Sequence, residues 1–185
     1  MIRNNKILDR KETALLIIDV QDKILDVMLL KEELIKNICK LIDGFNILKV
    51  PVYYTEQYPK GLGFTSEKIK QHLSGTEPIS KISFSCIGAS DLFNQFLLKG
   101  ISQVVVCGIE SHVCVQQTVL DLLANEFQVD IAANAVSSRK ENDLKVSLER
   151  MNKNGAEITT VESILFELLS IAGTEDFKAI SKLIK

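Results

Sequence analysis

Histidine is scarce in this chain, with only His72 and His112 among 185 residues, and none of the four cysteines stands in a C-x-x-C pair. That combination argues against a cysteine–histidine zinc site. In a reducing compartment it also argues against a disulfide framework, so Cys39, Cys86, Cys107 and Cys114 read as free thiols. An excess of charge of either sign is missing too: 22 basic and 24 acidic residues are interspersed, for a net charge of −2. The chain therefore carries no electrostatic footprint for nucleic acid or for a membrane surface. Its apolar runs are of strand length, short of the roughly 20 residues that cross a bilayer. The opening MIRNNKILDRKE has no apolar stretch of signal-peptide type, so a cytoplasmic, non-secreted protein is expected. A G-x-G-x-x-G fingerprint is also lacking: DVQD follows the first apolar run, which weighs against a dinucleotide-binding oxidoreductase.

What is present is an alternation of apolar runs with helical patterns. TALLIID (13–19), PVYYTEQ (51–57), a short stretch at 77–82, QVVVCG (103–108), FQVDIAA (127–133) and AEITT (156–160) read as strands. Between them, helical spacing predicts helices over 31–49, 89–99, 112–125, 140–153, 161–171 and 174–184. Strand–helix–strand repetition implies an α/β fold, a parallel sheet with helices on both faces. The length fits one domain spanning 1–185, with no repeat, linker or low-complexity segment to divide it.

In such sheets ligands sit outside the carboxyl ends of the strands. Asp19 closes the first strand, Glu56 and Gln57 the second, Lys81 the third, and Cys114 opens the helix after the fourth. A thiol in the first turn of a helix is stabilised as thiolate by free N–H groups and the helix dipole, and the thiolate is the nucleophile. A small buried core cysteine is the bland alternative. Asp19 is the candidate base, because neither histidine is placed for a cysteine–histidine pair. His72 reads as solvated, and His112 as lining or structural. Lys81 could hold Asp19 ionised and polarise a substrate. Taken singly, Asp19 reads as a strand-end cap and Lys81 as a surface lysine; together with Cys114 they form a constellation.

ALLIIDVQ (14–21), KISFS (81–85) and CGIESHVCV (107–115) resemble the three signature segments of the isochorismatase-like cysteine hydrolases. The likeness continues through TEQYPKGLG (55–63), DLL (121–123), SSR (137–139) and FKAISKLIK (177–185), and is greatest to isochorismatase domain-containing proteins of animals and protists. The resemblance implies a three-layer α-β-α, Rossmann-like fold with a six-stranded parallel sheet and a Cys114–Asp19–Lys81 triad. It also implies a cis peptide between Ile109 and Glu110, and an oxyanion hole from the backbone N–H groups of Glu110 and Cys114. A homo-oligomer follows by family analogy, with helix 161–171 as one available contact surface, and mitochondrial association is the alternative compartment. Nicotinamidases of this superfamily hold a metal through an Asp-x-His segment; TEQYPKGLG has no histidine, so no metal and no cofactor are expected. Isochorismatases cleave a vinyl ether without a cysteine nucleophile, so Cys114 points instead to acyl chemistry on a small amide or related C–N substrate. The other reading is an interaction or regulatory protein that keeps the triad without significant turnover. The expected pocket is small, floored by Cys114, Asp19 and Lys81 and walled by the 56–64 loop. Gln21, Gln57, Tyr58, Phe64 and Phe84 are its candidate lining, or else ordinary packing. No guanidinium lies within the motifs, so an acidic substrate is not indicated.

Overall fold

The computed structural model describes residues 3–73 and 75–185. Strands β1 (Thr13–Ile18), β2 (Val52–Gln57), β3 (Ile79–Lys81), β4 (Gln103–Gly108), β5 (Gln128–Val136) and β6 (Glu157–Thr159) form one sheet in the order β3-β2-β1-β4-β5-β6. Every neighbouring pair is parallel. The helices in chain order are α1 (Asp22–Leu25), α2 (Lys31–Leu48), α3 (Pro59–Leu62), α4 (Glu67–Lys70), α5 (Leu92–Leu98), α6 (Gln116–Ala124), α7 (Glu141–Lys153), α8 (Val161–Leu169) and α9 (Glu175–Ile184). The fold is the three-layer, doubly wound α/β arrangement, with its switch point between β1 and β4.

The unbroken apolar runs of β1 and β4 arise because both faces of the sheet are covered. Successive residues divide between two cores. Leu15, Ile17, Val105 and Cys107 pack with α2, α8 and α9, whereas Ala14, Leu16, Ile18, Val104 and Val106 pack with α5, α6 and α7. Close approach makes two glycines necessary. A Cβ on Gly108, which sits at φ +113°, would lie 2.2 Å from the Ile18 carbonyl oxygen. One on Gly44 of α2 would lie 2.3 Å from the Leu165 side chain of α8.

Several boundaries differ from the sequence expectation, each for a local reason. Strand β5 runs three residues beyond 133. Two steps along β4, from Val106 to Gly108, face five along β5, from Ile131 to Val136, so β5 bulges at its carboxyl end. Helix 112–125 begins as a single π-helical turn, Ser111–Val115, before α6. Helix α8 stops at Leu169, because Ser170 takes φ +59°. Its Val161, Ile164, Leu165 and Leu168 are buried in the core, so most of the apolar surface offered for subunit contact faces inward. The 56–64 loop folds partly into α3.

Beneath the amino edge of the sheet, Asp130 on β5 is buried, and burial raises its carboxyl to about 6. Glu167 and Glu157 add to the rise, while the Gln128 amide and Lys6 oppose it. The folded value lies above the ordinary one of about 3.9. This destabilisation of the fold is therefore absent below about pH 4, grows between about 4 and 6, and is complete above that. Asp130→Asn should raise the melting temperature at pH 8, by the equivalent of about 1–3 kcal/mol, and leave it nearly unchanged at pH 4. Paired thermal melts at the two pH values check the sign.

Candidate active site

Asp19 immediately follows β1 in a left-handed conformation, φ +52°. That twist turns its carboxylate across the end of β2, where Oδ1 accepts from the Thr55 hydroxyl at 2.7 Å. Oδ2 accepts from Lys81 Nζ at 2.6 Å. Both side chains of this ion pair are almost wholly buried, 1% exposed for Asp19 and 0% for Lys81. The ammonium also donates to Gln57 Oε1 at 2.8 Å, Phe84 O at 2.9 Å and Ser83 O at 3.2 Å. Lys81 is thus no surface lysine. It anchors Asp19 and curls the 82–85 loop around its own charge.

Cys114 stands over this pair. Its environment pushes the thiol well above the ordinary cysteine range, first by burial and then by the negative charge of Asp19. Lys81 pulls the other way but does not prevail. The expected lowering by a helix N-terminus is therefore overturned: Cys114 lies fourth in the π-turn, and burial beside a carboxylate outweighs the helix dipole. The resting thiol is protonated. Cys86 lies beneath the site, its thiol raised to about 11 by burial and 3.9 Å from the Thr55 hydroxyl.

The pocket above Cys114 encloses about 200 Å³ and is lined by Ile24, Gln57, Leu62, Phe84, Ile109, Glu110, Val113 and Cys114. Asp19 and Lys81, expected in its floor, are not among its lining residues and are buried. Gln57 and Phe84 are among its lining residues, while Gln21, Tyr58 and Phe64 are not. Gln21 is fully buried and acts as a clasp, its amide donating to Gln57 O at 3.0 Å and Gly63 O at 2.6 Å while its oxygen accepts from Gln57 N–H. Tyr58 and Phe64 are 52% and 72% exposed and outside the pocket lining. Glu56 points elsewhere, accepting from the Thr65 N–H and hydroxyl at 2.7 and 2.9 Å. His72 is half-buried rather than solvated, 2.7 Å from Asp43. His112 contacts the Ser138 hydroxyl at 3.0 Å.

Residues that sequence reasoning missed come from adjoining loops. Ile24 and Leu62, on α1 and α3, close the apolar side, and Ile109 and Val113 flank the thiol. Arg139 reaches Glu110 Oε2 at 2.8 Å, so a guanidinium does stand beside the pocket, engaged by a carboxylate of its rim. The Ile109–Glu110 peptide is cis. Among the described residues the Glu110 N–H donates to no protein acceptor, and the Cys114 N–H to none outside its own turn. No group of three or more His, Cys, Asp and Glu among those residues is arranged to hold a metal ion.

These features coincide with a known lineage. The isochorismatase domain matches residues 13–163, and the chain belongs to the isochorismatase family, whose hydrolase fold it shares. Isochorismatase family protein 1B of Dictyostelium discoideum is 37% identical over 190 residues, covering 100% of this chain and 92% of that one. Isochorismatase domain-containing protein 2 of Danio rerio is 35% identical over 177 residues, covering 96% and 89%. A structure described as the MAR1 ribonuclease of Caenorhabditis elegans superposes with a TM-score of 0.89 at 36% identity, covering 96% and 91%.

The site's electrostatics yield a signed expectation. Asp19→Asn removes the charge that raises the Cys114 thiol and leaves Lys81 facing it, so the thiol should ionise more readily. Alkylation of Cys114 by iodoacetamide at pH 7 should speed up several-fold in Asp19→Asn. In the parent, the rate should keep climbing past pH 9. Peptide mass spectrometry on Cys114, with Cys39 as the internal reference, measures both.

Proposed function

We propose that the protein is a hydrolase of small uncharged amides or related C–N compounds, working through Cys114, Asp19 and Lys81. The observation that carries this reading is the buried Lys81–Asp19 pair lying beneath a thiol in a small apolar pocket. A charged pair held out of water with every bond made is costly to build, and a structural role alone would be served as well by apolar packing. In the mechanism, the substrate carbonyl sits over Cys114 with its oxygen toward the Glu110 and Cys114 N–H groups. Asp19 takes the thiol proton as sulfur attacks carbon, so the thiolate forms only when an electrophile is in place. The two N–H groups hold the tetrahedral oxyanion. Collapse breaks the C–N bond, and the amine leaves with the proton returned from Asp19. Water, deprotonated by Asp19, then hydrolyses the thioester and frees Cys114. Lys81 keeps Asp19 oriented and balances its charge throughout.

Substrate size and polarity follow from the walls. A cavity of about 200 Å³ lies below the range of about 300–1,000 Å³ that takes drug-sized ligands. Both polar ends of the Gln57 side chain are already engaged, by Lys81 and by the Ile82 carbonyl. The C. elegans relative is described as a ribonuclease, but strand binding calls for a basic groove with stacking aromatics. Here the lining is chiefly apolar and its one charged group is acidic. The protonated resting thiol favours the second reading, a binding or regulatory protein without significant turnover.

A cytoplasmic homo-oligomer completes the proposal. Phe64, Ile82, Phe84 and Ile87 leave apolar surface exposed on the edge-strand side of the site, where a second copy could pack. A light-scattering mass of one chain at micromolar concentration would sink that part. Among the described residues no helix is long and apolar enough to cross a membrane.

A screen of small amides, ureas and carbamoyl compounds, read by ammonia or amine release, tests the main reading. Release should fall at least a thousand-fold in Cys114→Ala with the melting temperature retained. Turnover at the parental rate in that variant would refute the covalent route. Absence of release from every compound would favour the binding protein, and cleavage of an RNA oligonucleotide would replace both.

A further inference from the structure

A second, larger cavity opens where β5 bulges. It encloses about 510 Å³ and shares no lining residue with the Cys114 pocket. Leu29, Leu34, Val136 and Leu144 supply apolar wall, and its charged lining residues, Glu33 and Glu141, are both acidic. Neither carboxylate is engaged in an ion pair among the described residues. The volume falls within the range of about 300–1,000 Å³ for small-molecule sites. We propose that this cavity binds a small apolar amine, its hydrocarbon part against the leucines and its ammonium toward Glu33 and Glu141, and that occupancy is felt at Cys114.

The ligand class follows from the lining. Burial of hydrocarbon supplies most of the affinity, since exposed carboxylates each add only a fraction of a kcal/mol. The charges instead select sign: an anion would meet two unpaired carboxylates and no cation in the wall. Coupling to the first site runs through one short segment. The Ser137 carbonyl accepts from the Ser111 N–H at 2.8 Å, the Ser138 hydroxyl contacts His112 at 3.0 Å, and Arg139 binds Glu110 at 2.8 Å. On the cavity side, the Ser137 hydroxyl donates to the Leu29 carbonyl at 2.9 Å, and the Leu29 N–H donates to the Ser138 carbonyl at 3.1 Å. Residues 137–139 thus bond to the three residues that open the turn carrying Cys114, and the first two of them bond to Leu29 of the cavity wall as well. A ligand that favours one arrangement of Leu29 and Ser137 biases that turn by its difference in affinity.

The test titrates the full chain with three matched probes, 3-phenylpropylamine, 3-phenylpropanol and 3-phenylpropionate, by NMR. Iodoacetamide alkylation of Cys114 is followed in parallel. The amine should bind at least ten-fold tighter than the carboxylate, with the alcohol between them. Glu33→Gln with Glu141→Gln should abolish the amine's preference while leaving the alcohol bound. Cys114→Ala should keep amine binding unchanged, which separates this site from the proposed catalytic one whatever becomes of the hydrolase reading. Saturating amine should change the Cys114 alkylation rate at least three-fold. Equal binding of amine and carboxylate, a preference that survives the double substitution, or loss of binding in Cys114→Ala would overturn the site. Failure to bind amine in a chain whose mass shows a dimer would assign the cavity to a second copy instead. Amine binding with an unaltered alkylation rate would overturn the coupling.

Discussion

The Lys81–Asp19 ion pair is the interaction around which the carboxyl edge of this sheet is organised. An ammonium and a carboxylate taken out of water cost several kcal/mol each, and their attraction repays this only when the remaining bonding capacity is met. Here it is met in full. Asp19 spends one oxygen on Thr55 and the other on Lys81, and the ammonium divides its three N–H groups among Asp19, Gln57 and two loop carbonyls. The consequences spread outward from that demand. The 82–85 loop must curl inward to bring its carbonyls to the charge, which puts Phe84 on the pocket wall. Gln57 must turn its amide oxygen down, which leaves Gln21 to clasp the β2 end from the other side.

The pair also governs the thiol above it. The carboxylate opposes ionisation of the buried sulfur, while the ammonium paired with it favours ionisation; burial together with the carboxylate decides the balance. The result is a carboxylate–ammonium pair beside a thiol whose ionisation is opposed. That arrangement suits a thiol kept inert toward stray electrophiles in the empty pocket. Cys86 and Cys107 are raised by burial as well, with no ion pair in hydrogen-bond contact. What distinguishes Cys114 is its place in a pocket wall, not its acidity.

Geometry beyond the pair comes from the sheet. Strands β1 and β4 approach so closely that Gly108 admits no side chain against Ile18, and this brings the Asp19 and Cys114 turns together at the switch point. On the far side of the Cys114 turn, the bulge in β5 displaces the 137–139 segment so that it supports residues 110–112 and opens a separate cavity behind them. Two cavities of different lining thus flank one irregular strand end.

The sequence by itself determined the fold class, because unbroken apolar strands alternating with amphipathic helices have one economical solution, a parallel sheet covered on both faces. It also determined which three polar groups converge, because Asp19, Lys81 and Cys114 each fall at or just beyond the carboxyl end of a strand, where strand order alone delivers them to one edge. What it could not carry was direction. Gln21, Tyr58 and Phe64 lie in the right segments, yet one turns inward as a clasp and two turn outward, a choice made by backbone twist and by hydrogen bonds to residues far along the chain. The ionisation of Cys114 was likewise beyond local pattern. Helix position argues for a thiolate, but burial and the distance to a charge 95 residues away argue more strongly, and both exist only after folding. The π-turn, the bulge in β5 and the Arg139–Glu110 contact belong to the same class of fact. They depend on how separate strands register against one another, and register is set by the packed core rather than by the residues that display it.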